Sequence, residues 1–196
     1  MLWAGHQSGL ELRTEGGETR LLGRFPYGRE TVLRKGGQGG PELREVFAPK
    51  AFEARLLEQE IDIHLLAGHD FAKPMASRLA GTLTLSDTKE ALILEARIDP
   101  ALAGVTYVSD ILAGIRAGLT IGISPGFRVA EFNGAEEIKR SGNTVLRTVY
   151  CAYLEEISIV TRPAYPDAQI EARSWRSPTI AQRRDPMFHY RKWRHI

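Results

Sequence analysis

Over much of this chain apolar and polar residues alternate, in short runs broken by glycine, proline and acidic turn residues. That period is the pleat of a half-buried strand, so the chain must fold largely as β-structure. The clearest case is 79–98. Leu79, Gly81, Leu83 and Leu85 alternate with Ala80, Thr82 and Thr84, and the polar SDTKE (86–90) turns the chain. Leu92, Leu94, Ala96 and Ile98 then alternate again until Asp99-Pro100 stops the run. Leu21, Leu22 and Phe25, followed by Val32 and Leu33, mark two short strands before the Gly-rich turn KGGQGGPE (35–42). Glu45 to Phe47 reads as a strand end. Ile61, Ile63 and Leu65 share one strand face, with Asp62 and His64 on the other, and this strand runs into Gly68, His69 and Asp70. A strand is expected over 119–132, a polar excursion over 131–143, and one long or two short strands over 144–160.

Helical period is scarce. TYVSDILAGIRAG (106–118) repeats Val108, Ile111, Leu112 and Ile115 at three and four residues, with Thr106 or Ser109 as cap and Gly118 as stop. A shorter helix is expected from Pro49, with Phe52, Leu56 and Leu57 as its apolar face. About seven strands joined by local hairpins, with two helices, do not suit a doubly wound α/β sheet. A mainly antiparallel barrel with helices packed outside is the expected architecture.

A chain of 196 residues suits one domain and buries enough surface to need no metal or disulfide. The single cysteine, Cys151, excludes an intrachain disulfide framework and a cysteine-rich zinc module. No apolar run reaches the roughly 18 residues of a membrane span. The start, MLWAGHQSG, has neither the basic nor the apolar part of a secretory leader, so a cytoplasmic protein is expected. Charge is uneven. Residues 173–196 hold seven Lys or Arg against one Asp, a net +6, so a total of +2 leaves −4 on residues 1–172. The chain is therefore read as a domain over 1–172 and a basic flexible tail over 173–196. The acidic body makes a globally basic nucleic-acid binder a poor fit. A nucleic-acid module using only the tail, where Trp175, Phe188, Tyr190 and Trp193 lie among the cations, is kept as an alternative.

Neither a GxxxxGK[ST] phosphate loop, nor GxGxxG, nor HExxH occurs. No cofactor or metal is expected. His69 beside Asp70 is the one pair that could ligate an ion, and the five-residue spacing of His64 and His69 is not that of a zincin. Of the five histidines, His69 is singled out because it ends an apolar strand after Gly68, where one ring nitrogen can face a cleft. Imidazole exchanges protons near neutrality; the ordinary alternative is a structural histidine bonded to a turn.

Ser124 lies in the apolar string GISPGF. Such a serine commonly just fills a small space, and to act as a nucleophile it needs a base at hydrogen-bonding distance. The string G-I-S-P-G resembles a nucleophile elbow, but Pro125 has no N–H to give an oxyanion, and strand-like residues follow where an elbow needs a helix. The oxyanion donor would then be Gly126, another amide, or a water held by an arginine. In YLEEISIV one of Glu155 and Glu156 faces inward. The inward carboxylate would need a donor such as an imidazole, which makes it a candidate to orient His69. An edge-strand charge pair is the plain alternative.

Four segments, REVFAPKAF (44–52), HLLAGHD (64–70), ISPGF (123–127) and LEEISIVTRPAYPDAQI (154–170), resemble in order and spacing the prohead, or capsid maturation, serine proteases of tailed bacteriophages, themselves similar to the herpesvirus assemblin proteases. The resemblance covers about residues 20–172. It implies a closed antiparallel β-barrel with flanking helices. By its motifs the nucleophile falls on Ser124, the general base on His69 and the third member on Glu156; Pro125 departs from the family pattern. The resemblance further implies a serine endopeptidase that cleaves scaffold protein, or a scaffolding segment of the capsid protein, inside an immature shell in the host cytoplasm. Family members process themselves and are often dimeric, and the basic tail is a candidate either for removal by self-cleavage or for targeting the enzyme to the shell. A catalytically inactive barrel used in capsid assembly or scaffold binding is the alternative within the same fold.

Overall fold

The computed structural model describes residues 9–15, 18–37, 40–102, 104–119, 122–161 and 163. The expectations for 164–172 and for the basic 173–196 stretch lie outside the described residues. The elements are β1 (Gly9–Glu15), β2 (Glu18–Pro26), β3 (Thr31–Arg34), β4 (Glu42–Phe47), α1 (Glu53–Leu57), β5 (His64–Ala67), β6 (Asp70–Ser77), β7 (Leu83–Asp87), β8 (Ala91–Ile98), α2 (Thr106–Arg116), β9 (Gly122–Val129), β10 (Glu136–Ser141), β11 (Thr144–Val149) and β12 (Ala152–Val160). They form three four-stranded sheets in the orders β1-β2-β8-β7, β10-β11-β4-β3 and β6-β5-β12-β9.

The fold is mainly β, but the expected closed antiparallel barrel is overturned. No sheet closes on itself, and β4 pairs with β11, and β5 with β12, in parallel. Closure requires the outermost strands of a sheet to bond each other. Here each sheet keeps its own outer strands, and the three meet through side chains around one core. Leu21 and Phe25 of β2, Phe47 of β4, Leu65 of β5, Leu92 and Leu94 of β8, Ile123 of β9 and Leu154 and Ile157 of β12 all belong to it. At its centre the Phe47 ring lies 5.3 Å from those of Phe25 and Phe52 and 4.9 Å from that of Phe127. Each such ring pair adds roughly 0.5–1.5 kcal/mol beyond the area it buries.

The alternation in 91–98 is obeyed, with Leu92, Leu94, Ala96 and Ile98 all buried on β8. The other half of that hairpin starts later than expected, since Leu79 is exposed in a turn before β7. Residues 144–160 make two strands in different sheets. The polar excursion is also partly strand: β10 pairs with β11 through its backbone, though it carries almost no apolar side chains. Pro49 lies in the turn ahead of α1 rather than in its first turn, and Leu57 points into solvent. Neither proposed cap operates on α2. Val105 occupies the cap position without a side-chain bond, and the Ser109 hydroxyl donates to the Thr106 carbonyl at 2.8 Å. Gly118, at φ +70°, does end the helix. Among the described residues no helix is long and apolar enough to cross a membrane.

Candidate active site

Three neighbouring strands build the site, with β12 between β5 and β9. β5 and β6 are joined by a two-residue turn, Gly68-His69, because Ala67 pairs directly with Asp70. Both turn residues have positive φ, 66° and 62°. A type I′ hairpin turn demands this at both central positions, and its backbone matches the twist of the strands. Glycine adopts it freely, and histidine is one of the few side-chain-bearing residues enriched there. The turn is tied down at both amides. Gly68 N–H donates to the Ile159 carbonyl at 3.0 Å and His69 N–H to the Ser158 hydroxyl at 2.9 Å.

The imidazole of His69 lies over β12, where its Nδ1 is 2.6 Å from Glu156 Oε1. A carboxylate only accepts, so Nδ1 carries the hydrogen and Nε2 of the neutral ring is left as an acceptor. Glu156 is 4 % exposed. A carboxylate that deep needs donors, and it has a second in the Ser158 hydroxyl, 2.6 Å from Oε2. Room for this carboxylate comes from the neighbouring strand. Gly126 of β9 is the cross-strand partner of Glu156. A Cβ at Gly126 would run into Glu156 Oε1 and come within 2.8 Å of its Cδ, so any larger residue there would push the carboxylate aside.

The alternative carboxylate is accounted for differently. Glu155 faces outward, bonded by Arg55 at 3.0 Å and Arg128 at 3.4 Å. Asp70, next to His69, is also engaged elsewhere. It accepts from the Ala72 amide at 2.9 Å and pairs with Lys73 at 3.0 Å, and these bonds hold its carboxyl below the usual carboxylate range. Among the described residues no group of histidine, cysteine, aspartate or glutamate side chains is arranged to hold a metal ion.

Ser124 is on β9 directly opposite Ser158 of β12. Opposed residues of an antiparallel pair point to the same face, with Cβ atoms about 5 Å apart. Ser124, Ser158, Glu156 and Gly126 therefore share the face over which His69 reaches. Ser124 is mid-strand, not at an elbow, and Pro125 beside it is tolerated because β9 is an edge of its sheet. Ser124 is 1 % exposed, so its hydroxyl is not in an open groove. Ser124 Oγ and His69 Nε2 are both buried and neither has a hydrogen-bond partner, so the two are not bonded to each other. A groove of about 490 Å³ opens beside the turn, walled by Ala67, Gly68, Tyr107, Ile111 and Ile159. The sequence reading missed Ser158 and the close approach at Gly126. The first was signalled by the E-x-S spacing, which puts both side chains on one strand face.

Compared with known families, residues 29–182 match the model of the caudovirus prohead serine protease. The chain belongs to that family. It is accordingly a serine protease of prohead maturation, a peptide-bond hydrolase whose family works on the immature capsid. The matched span of this prohead protease includes Ser124, His69, Glu156, Ser158 and Gly126, and it continues to residue 182, past the 172/173 division read from charge. No curated protein and no solved structure matches the chain.

Proposed function

We propose that this prohead protease cleaves peptide bonds with Ser124 as nucleophile, His69 as general base and then acid, and Glu156 as the group that orients the imidazole. The observation that carries the reading is the 2.6 Å bond from His69 Nδ1 to a buried Glu156, which leaves Nε2 an unpartnered acceptor beside the sheet face where Ser124 of β9 carries an unpartnered hydroxyl. Nε2 takes the Ser124 proton as Oγ attacks the scissile carbonyl, and Glu156 stabilises the resulting imidazolium. The imidazolium passes its proton to the leaving amine. Water then attacks the acyl-enzyme by the same route, which regenerates Ser124. The buried hydroxyl adds one requirement. Side chains around Ser124 must part, and its Oγ must swing toward Nε2, before a peptide can acylate it.

The substrate is a scaffold or capsid-protein segment inside the immature shell, and the basic stretch 173–196 is a self-cleavage product. Labelling with a fluorophosphonate, followed by peptide mapping, tests the nucleophile. The label is expected on Ser124, slowly in the isolated protein and faster in assembled particles. A label on another serine would overturn the assignment. Intact masses of wild type and Ser124→Ala after incubation test self-cleavage, with an unchanged wild-type mass counting against it.

A further inference from the structure

Ser158 does more than fill space behind Glu156. It is fully buried, at 0 % exposure, and lies between Leu66 of β5 and Ser124 of β9. Its hydroxyl has one hydrogen and two lone pairs. The hydrogen goes to Glu156 Oε2 at 2.6 Å, because a carboxylate can only accept. A lone pair takes the His69 amide hydrogen at 2.9 Å, because an amide can only donate. Both directions are therefore fixed. One oxygen is tied at once to the backbone of the histidine and to the carboxylate that binds its ring. With the 2.6 Å bond between His69 Nδ1 and Glu156 Oε1, this closes a ring of three contacts.

Each contact removes a freedom that the other two leave open. The terminal torsion of a glutamate is broad, so a carboxylate held at one oxygen can pivot. Holding Oε2 fixes the plane in which Oε1 meets Nδ1. The His69 backbone has φ +62°, which a residue other than glycine keeps only where its surroundings over-determine it. The bond to Ser158 anchors that backbone from outside the turn.

We propose that Ser158 is a positioning residue that holds His69 as the single tautomer with hydrogen on Nδ1, keeping Nε2 open toward Ser124. This rests on the assignment of Ser124 and His69 given above, and it concerns a side chain which touches neither substrate nor the reacting atoms. With ¹⁵N-histidine-labelled full-length protein, nitrogen shifts of neutral His69 are expected to report one tautomer in wild type and a mixture in Ser158→Ala. Turnover of a cleavable peptide should fall about 10- to 100-fold in kcat, since small misplacements of a catalytic group cost on that order, with KM within about twofold. A Ser158→Ala protein with wild-type tautomer and wild-type kcat overturns the proposal.

Two controls separate this failure from failure of the underlying assignment. If Ser124→Ala keeps full activity, the nucleophile is wrong, but the tautomer measurement still judges Ser158. If Ser158→Ala does not fold, amide exchange in the wild type decides. Slow exchange at His69 N–H supports the bond to Ser158, and exchange as fast as that of a solvated turn amide overturns it.

Discussion

Two sheets of this molecule bury a polar cluster beside a parallel strand pair, and they treat it in opposite ways. Between β4 and β11, Arg147 sends one nitrogen to Glu45 at 3.0 Å and another to Glu136 at 2.7 Å. Arg147 and Glu45 are almost fully buried, and their charges answer each other. Between β5, β12 and β9 the cluster is left incomplete. His69, Glu156 and Ser158 satisfy one another, while His69 Nε2 and Ser124 Oγ remain over. A buried polar atom without a partner costs about 1–3 kcal/mol. The first cluster fixes the register of two strands. The second leaves without a partner His69 Nε2 and Ser124 Oγ, the two atoms proposed above as base and nucleophile.

Ser124→Ala gives the sharpest contrast. Peptidase activity should fall about 10⁴-fold or more, while the variant stays as stable as wild type or gains slightly, because it deletes an unsatisfied hydroxyl. Activity assays beside urea denaturation would show both, and an unstable Ser124→Ala protein would break the comparison. Arg147→Ala should do the reverse. It removes the guanidinium that faces the buried Glu45 carboxylate and should cost about 3–5 kcal/mol of stability by the same denaturation; a loss under about 1 kcal/mol would mean water replaces the guanidinium. Gly126→Ala falls between them. Its methyl group displaces the Glu156 carboxylate, so kcat should drop about a hundredfold with a folded protein retained, as judged by circular dichroism. Wild-type kcat in this variant would show that the carboxylate need not sit where it does.

The smallest effect tests a half-buried acid. Asp87 accepts from the Tyr27 hydroxyl at 2.7 Å, yet burial, the largest influence, pushes its pKa above the ordinary carboxylate value. Its folded form therefore binds a proton more tightly than the unfolded chain does. Stability should fall as pH rises from about 3.9, the unfolded value, through the raised folded value. Asp87→Asn should flatten that slope and change stability at neutral pH by about 1 kcal/mol or less, solvent screening considered. Urea midpoints measured across pH would check this, and an unchanged slope in Asp87→Asn would assign it to other groups.

What could be read from the sequence follows the reach of the interactions. The alternation of Leu92 to Ile98 and the three-and-four spacing of α2 are local, and both appear in the fold. The barrel was wrong because alternation shows which face of a strand is buried and not which edges bond. The parallel pairing of β5 with β12 joins segments far apart in the chain, and nothing in either segment announces its partner. β10 escaped notice because its side chains are exposed on both faces, leaving no apolar period to see. The pleat could say that one of Glu155 and Glu156 points inward; only the family motif chose Glu156, which is the one of the two that contacts His69. Ser158 went unremarked because a small hydroxyl in an apolar strand looks like filler until its bonds are known.

The contact between His69 and Glu156 spans 87 positions of sequence. A chain synthesised as far as β5 and its turn holds the His69 ring without its carboxylate partner, which arrives only with β12, the last strand of that sheet in chain order. Long-range pairings of this kind form late and slowly. The contact is therefore among the later ones to form, and until it does nothing on β12 orients the imidazole.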